Sequence, residues 1–126
     1  MRQANGVDIQ MDGDNFWRQL DYLAATCPVR VDRPRGSAHP RYPQSVYPLD
    51  YGYFQDTQSG DGAGIDVWIG SLPDRRVTGV VCTVDGLKRD AEIKVLLACT
   101  ADEARLILVL HNEGHQGAVL LMRDTV

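Results

Sequence analysis

The chain has 126 residues, of which 44% are hydrophobic and 24% are charged, as expected for one globular domain rather than a disordered, collagen-like or coiled-coil chain. Thirteen Lys and Arg residues against seventeen Asp and Glu residues give a formal net charge of −4, which disfavours nucleic acid as a partner and favours cations or small ligands. No segment resembles a signal peptide or a membrane span, and the three cysteines do not indicate a disulfide framework, so we expect a cytoplasmic protein.

The first predicted element is a helix that follows a short N-terminal arm. Residues 1–13 carry glycines and polar groups without a period and are expected to be flexible, while residues 14–126 are expected to form a single domain. Asp14 or Asn15 can cap the helix, which ends at Cys27. Apolar side chains recur at helical spacing at Phe16, Trp17, Leu20, Leu23 and Ala24.

A short strand and a long loop are predicted next. Residues 29–33 alternate as in a strand, and several prolines from Pro34 onward indicate a loop. Loops of more than ~12–15 residues are uncommon in small domains unless they are functional. The basic and tyrosine residues of this segment are Arg33, Arg35, Arg41, Tyr42, Tyr47, Tyr51 and Tyr53. We therefore expect the loop to line a site.

The second half of the sequence predicts strands and one helix. Runs rich in β-forming residues lie at 65–69, 77–84, 91–99 and 118–122. A capping-box pattern from Thr100 to Glu103 predicts a helix over about residues 101–112. Since strands and helices do not alternate, we predict an α+β, mainly β fold: a small antiparallel, OB-like β-barrel with an N-terminal helix and a C-terminal flanking helix.

The densest acidic segment is DGAGID at residues 61–66, a glycine-rich loop that leads into an apolar strand. Such a loop allows Asp61 and Asp66 to converge, and carboxylate oxygens are the ligands that Mg²⁺ prefers. The alternative is a turn that is rich in Asp for conformational reasons alone. Both interpretations stay open on this segment.

A second charged group lies on the strand predicted at residues 91–99. Period two places Asp90, Glu92 and Lys94 on one face of that strand. Together with Asp85 on the preceding turn, these residues offer metal ligands beside a cation suited to phosphate oxygens. The alternative is a solvated strand face with a cross-strand ion pair.

Three further motifs are disfavoured. His111 and His115 are four residues apart, but Gly114 lies between them and the glutamate is misplaced for a zinc site. A single glycine-aspartate repeat at residues 62–66 is too little for a calcium-binding β-helix, which needs at least three repeats. Cys82 lies inside a β run and is interpreted as a core residue.

Three ordered blocks carry a resemblance to a known family. YPLDYGY at residues 47–53 is similar to YPxNYGY, DGAGID at residues 61–66 to DGDPxD, and residues 85–94 to an acid-turn-acid-x-Lys segment. A looser match covers residues 31–42. In these blocks the chain resembles a short, divergent member of the soluble family I inorganic pyrophosphatases, over about residues 29–99. The resemblance implies a small β-barrel that uses Mg²⁺ as cofactor.

The resemblance also implies roles for individual residues. The implied Mg²⁺ ligands are Asp61, Asp66, Asp85 and Glu92. The implied substrate-binding residues are Arg41, Tyr51 and Lys94. The hairpin that carries a phosphate-binding arginine in the family is absent here, and Arg33 or Arg35 could replace that arginine. The implied catalytic residues are Asp61, Asp66 and Lys94.

The implied activity is Mg²⁺-dependent hydrolysis of inorganic pyrophosphate to two phosphates by a water that the metal activates. Ala63 stands where the family has an aspartate close to that water, and the C-terminal part is shortened. Two alternatives follow: a phosphate- or cation-binding module without turnover, and a hydrolase of a nucleotide or another small diphosphate. No nucleic acid or membrane partner is expected, and homo-oligomerisation would stabilise a small barrel.

Overall fold

The computed structural model describes residues 13–123, so the arm predicted at residues 1–13 lies outside the described residues apart from Gly13. The helices of this part of the chain are α1 (Asp14–Thr26) and α2 (Ala101–Leu110). Its strands are β1 (Val29–Arg33), β2 (Asp50–Phe54), β3 (Asp66–Ile69), β4 (Val77–Asp85), β5 (Asp90–Leu97) and β6 (Gln116–Met122). Neither helix is long and apolar enough to cross a membrane.

Helix α1 occupies the predicted position but begins differently. The residue at its N-terminal cap is Gly13, with φ 72° and no side-chain cap, so the prediction that Asp14 or Asn15 caps the helix was wrong. A left-handed φ is most accessible to glycine, which explains the residue at this point. The helix buries Trp17 and Leu20 and ends at Cys27, whose amide donates to the Leu23 carbonyl.

Helix α2 has the predicted capping box. The Glu103 amide donates to Thr100 Oγ1 at 3.1 Å, and the Thr100 amide donates to Glu103 Oε1 at 2.9 Å. These bonds satisfy amides that have no partner inside a helix. The helix ends at Leu110 rather than at residue 112, with His111 as its C-terminal cap.

The six strands form one mixed sheet in the order β1-β2-β3-β5-β4-β6. The antiparallel prediction is wrong for β3 and β5, which are parallel, while the other four neighbouring pairs are antiparallel. The loop at residues 70–76 reverses the chain direction between β3 and β4. These two strands do not pair as a hairpin, because β5 lies between them in the sheet. A closed barrel is not shown, because β1 and β6 are the two edges of this hydrogen-bonded order.

Strand β2 was assigned to the long loop in the sequence analysis, and that assignment was wrong. Residues Asp50–Phe54 pair with both β1 and β3. Gly52 is buried between them, and a Cβ there would lie 1.9 Å from the Arg30 carbonyl oxygen. Glycine is depleted in strands, so the residue that permits this close pairing also obscured the strand in the sequence.

Each face of the sheet has its own hydrophobic core. On one face, α1 packs Trp17 and Leu20 against strand residues that include Val80 and Val95. On the other, α2 contributes Ala104 and Ile107 to a cluster with Leu49, Trp68, Val81, Leu96 and Cys99. Because side chains alternate along a strand, Asp66 and Trp68 share the α2 face. That face carries the candidate site.

Candidate functional site

The centre of the candidate site is the ammonium group of Lys94. The residue as a whole is 7% exposed. Its Nζ donates to Asp66 Oδ2 at 2.6 Å and to Glu92 Oε1 at 2.6 Å. It also donates to the Tyr51 hydroxyl oxygen at 3.2 Å. We refer to these four residues as the Lys94 cluster.

Three adjacent strands build the Lys94 cluster. Glu92 and Lys94 are two residues apart on β5, so the prediction that they share a face is confirmed by their contact. Asp66 and Lys94 each precede a residue of the parallel pair Val67–Val95, which places them side by side. Tyr51 enters from β2, opposite Trp68 of β3. Residues from three strands that are distant in sequence therefore converge.

The electrostatics of the Lys94 cluster favour the charged ammonium. Burial by itself lowers the Lys94 pKa, but the Tyr51 oxygen and the two carboxylates offset it, so the pKa lies above its ordinary value. Burial raises the pKa of Tyr51, so its phenol is neutral at neutral pH. One ammonium and two carboxylates leave the cluster with a net charge of −1.

Asp61 lies beside the Lys94 cluster on the exposed loop between β2 and β3. Its Oδ1 accepts hydrogen bonds from Ser59 Oγ at 2.5 Å and from the Ala63 amide at 3.0 Å. These two bonds lower the Asp61 pKa, and the Glu92 side chain lies within interaction distance of Asp61. Asp61 therefore orders its own loop, as the turn interpretation expects, and also neighbours a cluster carboxylate.

Asp85 lies at the far end of β4 and orders a turn. Its Oδ1 accepts hydrogen bonds from the amides of Leu87 and Lys88 at 3.0 and 2.8 Å. Asp85 of β4 pairs with Asp90 of β5, whereas Lys94 of β5 pairs with Val81 of β4. Val81 and Asp85 are four residues apart, so Asp85 lies ~13 Å along the strand from the position opposite Lys94. Within residues 13–123 no group of three or more His, Cys, Asp or Glu side chains is arranged to hold a metal ion. The structure therefore does not assemble the four predicted ligands into one group.

Within residues 13–123 the side chains of the two predicted arginines form no hydrogen bond or ion pair with the Lys94 cluster, although Arg33 is the cross-strand partner of Tyr51. Arg33 lies on the edge strand β1, and its Nη1 donates to the Asp32 carbonyl at 3.3 Å. Arg41 is exposed in the following loop, where its amide donates to His39 Nδ1 at 3.1 Å. Their proposed roles in substrate binding stay predictions.

A cavity of about 320 Å³ adjoins the Lys94 cluster, and Tyr51 is shared by both. We call it the aromatic cavity, because its ring-bearing lining residues are His39, Tyr42, Tyr47, Tyr51, Trp68 and His111. These rings form a continuous series from exposed to buried: ring centroids are 5.1 Å apart for His39 and Tyr42 and 4.4 Å apart for Tyr51 and Trp68. The sequence analysis noted the tyrosines, considered His111 only as a zinc ligand and gave His39 and Trp68 no role in a site.

The loop that carries the outer rings is ordered by its own backbone. The Tyr47 amide donates to the Ser37 carbonyl at 2.9 Å, and the His39 amide donates to the Ser45 carbonyl at 2.8 Å. A bridge between Ala38 and Val46 lies within the same loop. The segment predicted to line a site is thus folded back on itself beside the sheet.

His111 is held as a neutral side chain at the inner end of the aromatic cavity. Trp68 Nε1 donates to His111 Nε2 at 3.1 Å, so the ring proton is on Nδ1, which donates to Gln116 Oε1 at 3.0 Å. Burial lowers the pKa of His111, and Lys94 contributes in the same direction. Both ring nitrogens of His111 are therefore engaged, and His115 is exposed.

Comparison with known proteins gives structural relatives only. No protein-family model and no curated protein matches the sequence. The chain is similar in structure to an inorganic phosphatase from Anaplasma phagocytophilum, with a TM-score of 0.54 and 17% identity over 76% of this chain and 82% of that chain. It is also similar to an inorganic pyrophosphatase from Coxiella burnetii, with a TM-score of 0.49 and 15% identity over 76% and 84% of the two chains. The first similarity establishes a shared fold, which agrees with the mainly β fold expected from the sequence.

Proposed function

We propose that this protein hydrolyses a phosphoanhydride, with inorganic pyrophosphate as the simplest substrate and Mg²⁺ as cofactor. The observation that carries the proposal is the Lys94 cluster, in which two carboxylates and a phenol surround a buried ammonium group. All four of its members occupy positions that the family resemblance assigns to metal binding (Asp66, Glu92) or phosphate binding (Tyr51, Lys94). The shared fold with an inorganic phosphatase supports the same conclusion.

The donor set of the Lys94 cluster fits Mg²⁺. Asp66 and Glu92 supply hard carboxylate oxygens, and Mg²⁺ in proteins is commonly bound by one or two carboxylates together with water and substrate phosphates. A cluster charge of −1 also calls for a cation before a polyanion can approach. Asp66 and Glu92 would hold the ion, with Asp61 adjacent to Glu92. When bound, Mg²⁺ would neutralise phosphate charge and acidify the attacking water.

Lys94 has no spare donor in this arrangement. An ammonium group has three N–H bonds, and they are directed to Asp66, Glu92 and Tyr51. The bond to Tyr51 is the longest, and it is the only one to an uncharged partner, so it is the easiest to exchange. We expect a phosphate oxygen to replace Tyr51 as the acceptor of the third Lys94 N–H bond.

Lys94 also positions the two carboxylates of the cluster. Lys94 screens the repulsion between Asp66 and Glu92 and keeps the two carboxylates convergent. Positive charge at Lys94 would then stabilise the charge that develops on the leaving phosphate. No acidic residue stands at position 63, so Asp61 is the nearest carboxylate in the loop that can accept a proton from the attacking water.

A module that binds phosphate or a cation without turnover is the second candidate function. Two observations favour it: Ala63 cannot accept a proton, and Asp61 Oδ1 already accepts two hydrogen bonds from its own loop. In that case Mg²⁺ and pyrophosphate would bind together and pyrophosphate would persist.

Release of orthophosphate from pyrophosphate separates the two candidates. We expect release by the unmodified protein with Mg²⁺ and none with excess EDTA. Calorimetric titration of Mg²⁺ and of pyrophosphate into the same sample supplies the second measurement. Binding of both without release of orthophosphate would support the binding module and contradict the hydrolase.

A further inference from the structure

We infer that the aromatic cavity binds the base of a nucleoside diphosphate whose diphosphate group lies at the Lys94 cluster. The inference rests on the proposed hydrolysis of phosphoanhydrides and names the class of substrate. Its basis is that one residue, Tyr51, both lines the cavity and hydrogen-bonds Lys94. A ligand that fills both places must have a planar apolar part joined to a polyanionic part.

The lining of the aromatic cavity suits a heterocyclic ring and does not suit inorganic pyrophosphate. Six ring-bearing residues line it, and pyrophosphate has no apolar surface to bury against them. Nucleic acid bases stack on Tyr, Trp and His rings irrespective of sequence, because every base has a π face. A volume of about 320 Å³ is at the lower end of the range for small-molecule sites.

The rim of the aromatic cavity adds polar groups for the remainder of such a ligand. Ser45, Glu113 and Gln116 line it along with the rings. A carboxylate, an amide and a hydroxyl can pair with base edges and ribose hydroxyls. His111 accepts a hydrogen bond from Trp68, whose ring centroid is 4.4 Å from that of Tyr51, so the inner end of the cavity adjoins the cluster.

The outermost ring is placed to cover a ligand. Tyr42 is 57% exposed, and its ring is 5.1 Å from that of His39, which is in turn 6.1 Å from the Tyr47 ring. The Tyr42 carbonyl accepts a hydrogen bond from the Ser45 amide at 2.8 Å, so removal of the ring leaves this backbone bond of the loop in place.

The reaction that follows is hydrolysis at the terminal phosphorus. The oxygen of water forms a bond to the β-phosphorus, and the bond between that phosphorus and the bridging oxygen breaks. The electron pair of the broken bond leaves on the bridging oxygen of the nucleoside monophosphate. The products are the monophosphate, orthophosphate and a proton released to solvent.

Binding of two non-hydrolysable analogues in the presence of Mg²⁺ tests the inference directly. We expect α,β-methylene-ADP to bind roughly tenfold more tightly than methylenediphosphonate, as measured by calorimetry. Tyr42→Ala should remove most of that difference. Val46→Trp, which places a bulky side chain at the cavity lining, should reduce it as well. Tyr22→Ala is the matched control, because Tyr22 is 66% exposed on α1, outside the aromatic cavity.

The outcomes separate this inference from the proposed function. Equal binding of the two analogues, or an unchanged ratio in both Tyr42→Ala and Val46→Trp, would overturn the nucleotide inference even if pyrophosphate is hydrolysed. Tight, Tyr42-dependent binding of α,β-methylene-ADP would support it even if neither pyrophosphate nor ADP is hydrolysed. In that second case the hydrolase proposal fails and the ligand class stands.

Discussion

Replacing Lys94 by Met removes the ammonium group from between two carboxylates and keeps an apolar stem of similar length. The side chains of Lys94, Asp66 and Glu92 are 9%, 27% and 17% exposed, so the three charges are largely shielded from water. Removal of one partner from a buried ion pair costs about 3–5 kcal/mol, because the remaining charge is left uncompensated. Since both carboxylates keep some contact with water, we expect a loss of about 3 kcal/mol in the free energy of unfolding.

Urea unfolding at neutral pH with EDTA measures this loss. For a domain of this size, 3 kcal/mol corresponds to a decrease in Tm of roughly 10–15 °C. Lys88→Met is the matched control, because Lys88 is exposed on the turn between β4 and β5, and we expect its effect to stay within about 0.5 kcal/mol. The Lys94 pKa is raised in the folded protein, so its stabilisation is fully present at neutral pH and is lost as the pH rises through that raised value.

Mg²⁺ supplies a second arm of the same experiment. In the unmodified protein, one oxygen of Asp66 and one of Glu92 bind Lys94, and in Lys94→Met these oxygens become available. Mg²⁺ should therefore raise the free energy of unfolding of the variant more than that of the unmodified protein. If Lys94→Met and Lys88→Met unfold at the same urea concentration, the three strands are not held together by this charge cluster and the reasoning is refuted.

Four further substitutions probe other parts of the site. Asp66→Asn should weaken Mg²⁺ binding in calorimetry, whereas Asp85→Asn should leave Mg²⁺ binding unchanged. Because Asp85 orders a turn, Asp85→Asn should instead lower the free energy of unfolding by about 1 kcal/mol. Equal Mg²⁺ affinities for the two variants would contradict this assignment. Ala63→Asp adds a carboxylate to the exposed loop and should tighten Mg²⁺ binding with pyrophosphate hydrolysis at least equal to that of the unmodified protein; a folded variant with neither property would contradict the proposed site. His111→Leu should lower the free energy of unfolding by about 1–3 kcal/mol, because the Trp68 N–H loses its acceptor. Burial lowers the His111 pKa, so the unmodified protein should lose stability as the pH falls through that lowered value, and the variant should show a smaller loss in urea unfolding across the same range.

The elements that local patterns determine could be predicted from the sequence. The helix at α2 follows from a capping box whose two hydrogen bonds are both present. The shared face of Glu92 and Lys94 follows from period two along β5 and needs no knowledge of the neighbouring strands. The start of α1 was missed, because a left-handed glycine replaced the expected side-chain cap.

The features that depend on long-range pairing could not be predicted in this way. Asp66 reaches Lys94 only because β3 and β5 are parallel, and no local pattern distinguishes that pairing from an antiparallel one. The aromatic cavity depends on how the loop around Tyr47 packs beside Trp68, at a ring-centroid distance of 5.9 Å. Asp85 matched the family pattern in sequence, but its side chain is engaged by the turn that follows.

The rate of Mg²⁺-dependent release of orthophosphate from pyrophosphate, compared between Asp66→Asn and Asp74→Asn, tests the role of the Lys94 cluster most directly. Asp74 is exposed in the loop at residues 70–76 and serves as the matched control. We expect the control to match the unmodified protein and Asp66→Asn to be slower by about a hundredfold. Equal rates in the two variants, or no release by the unmodified protein, would contradict hydrolysis at the Lys94 cluster.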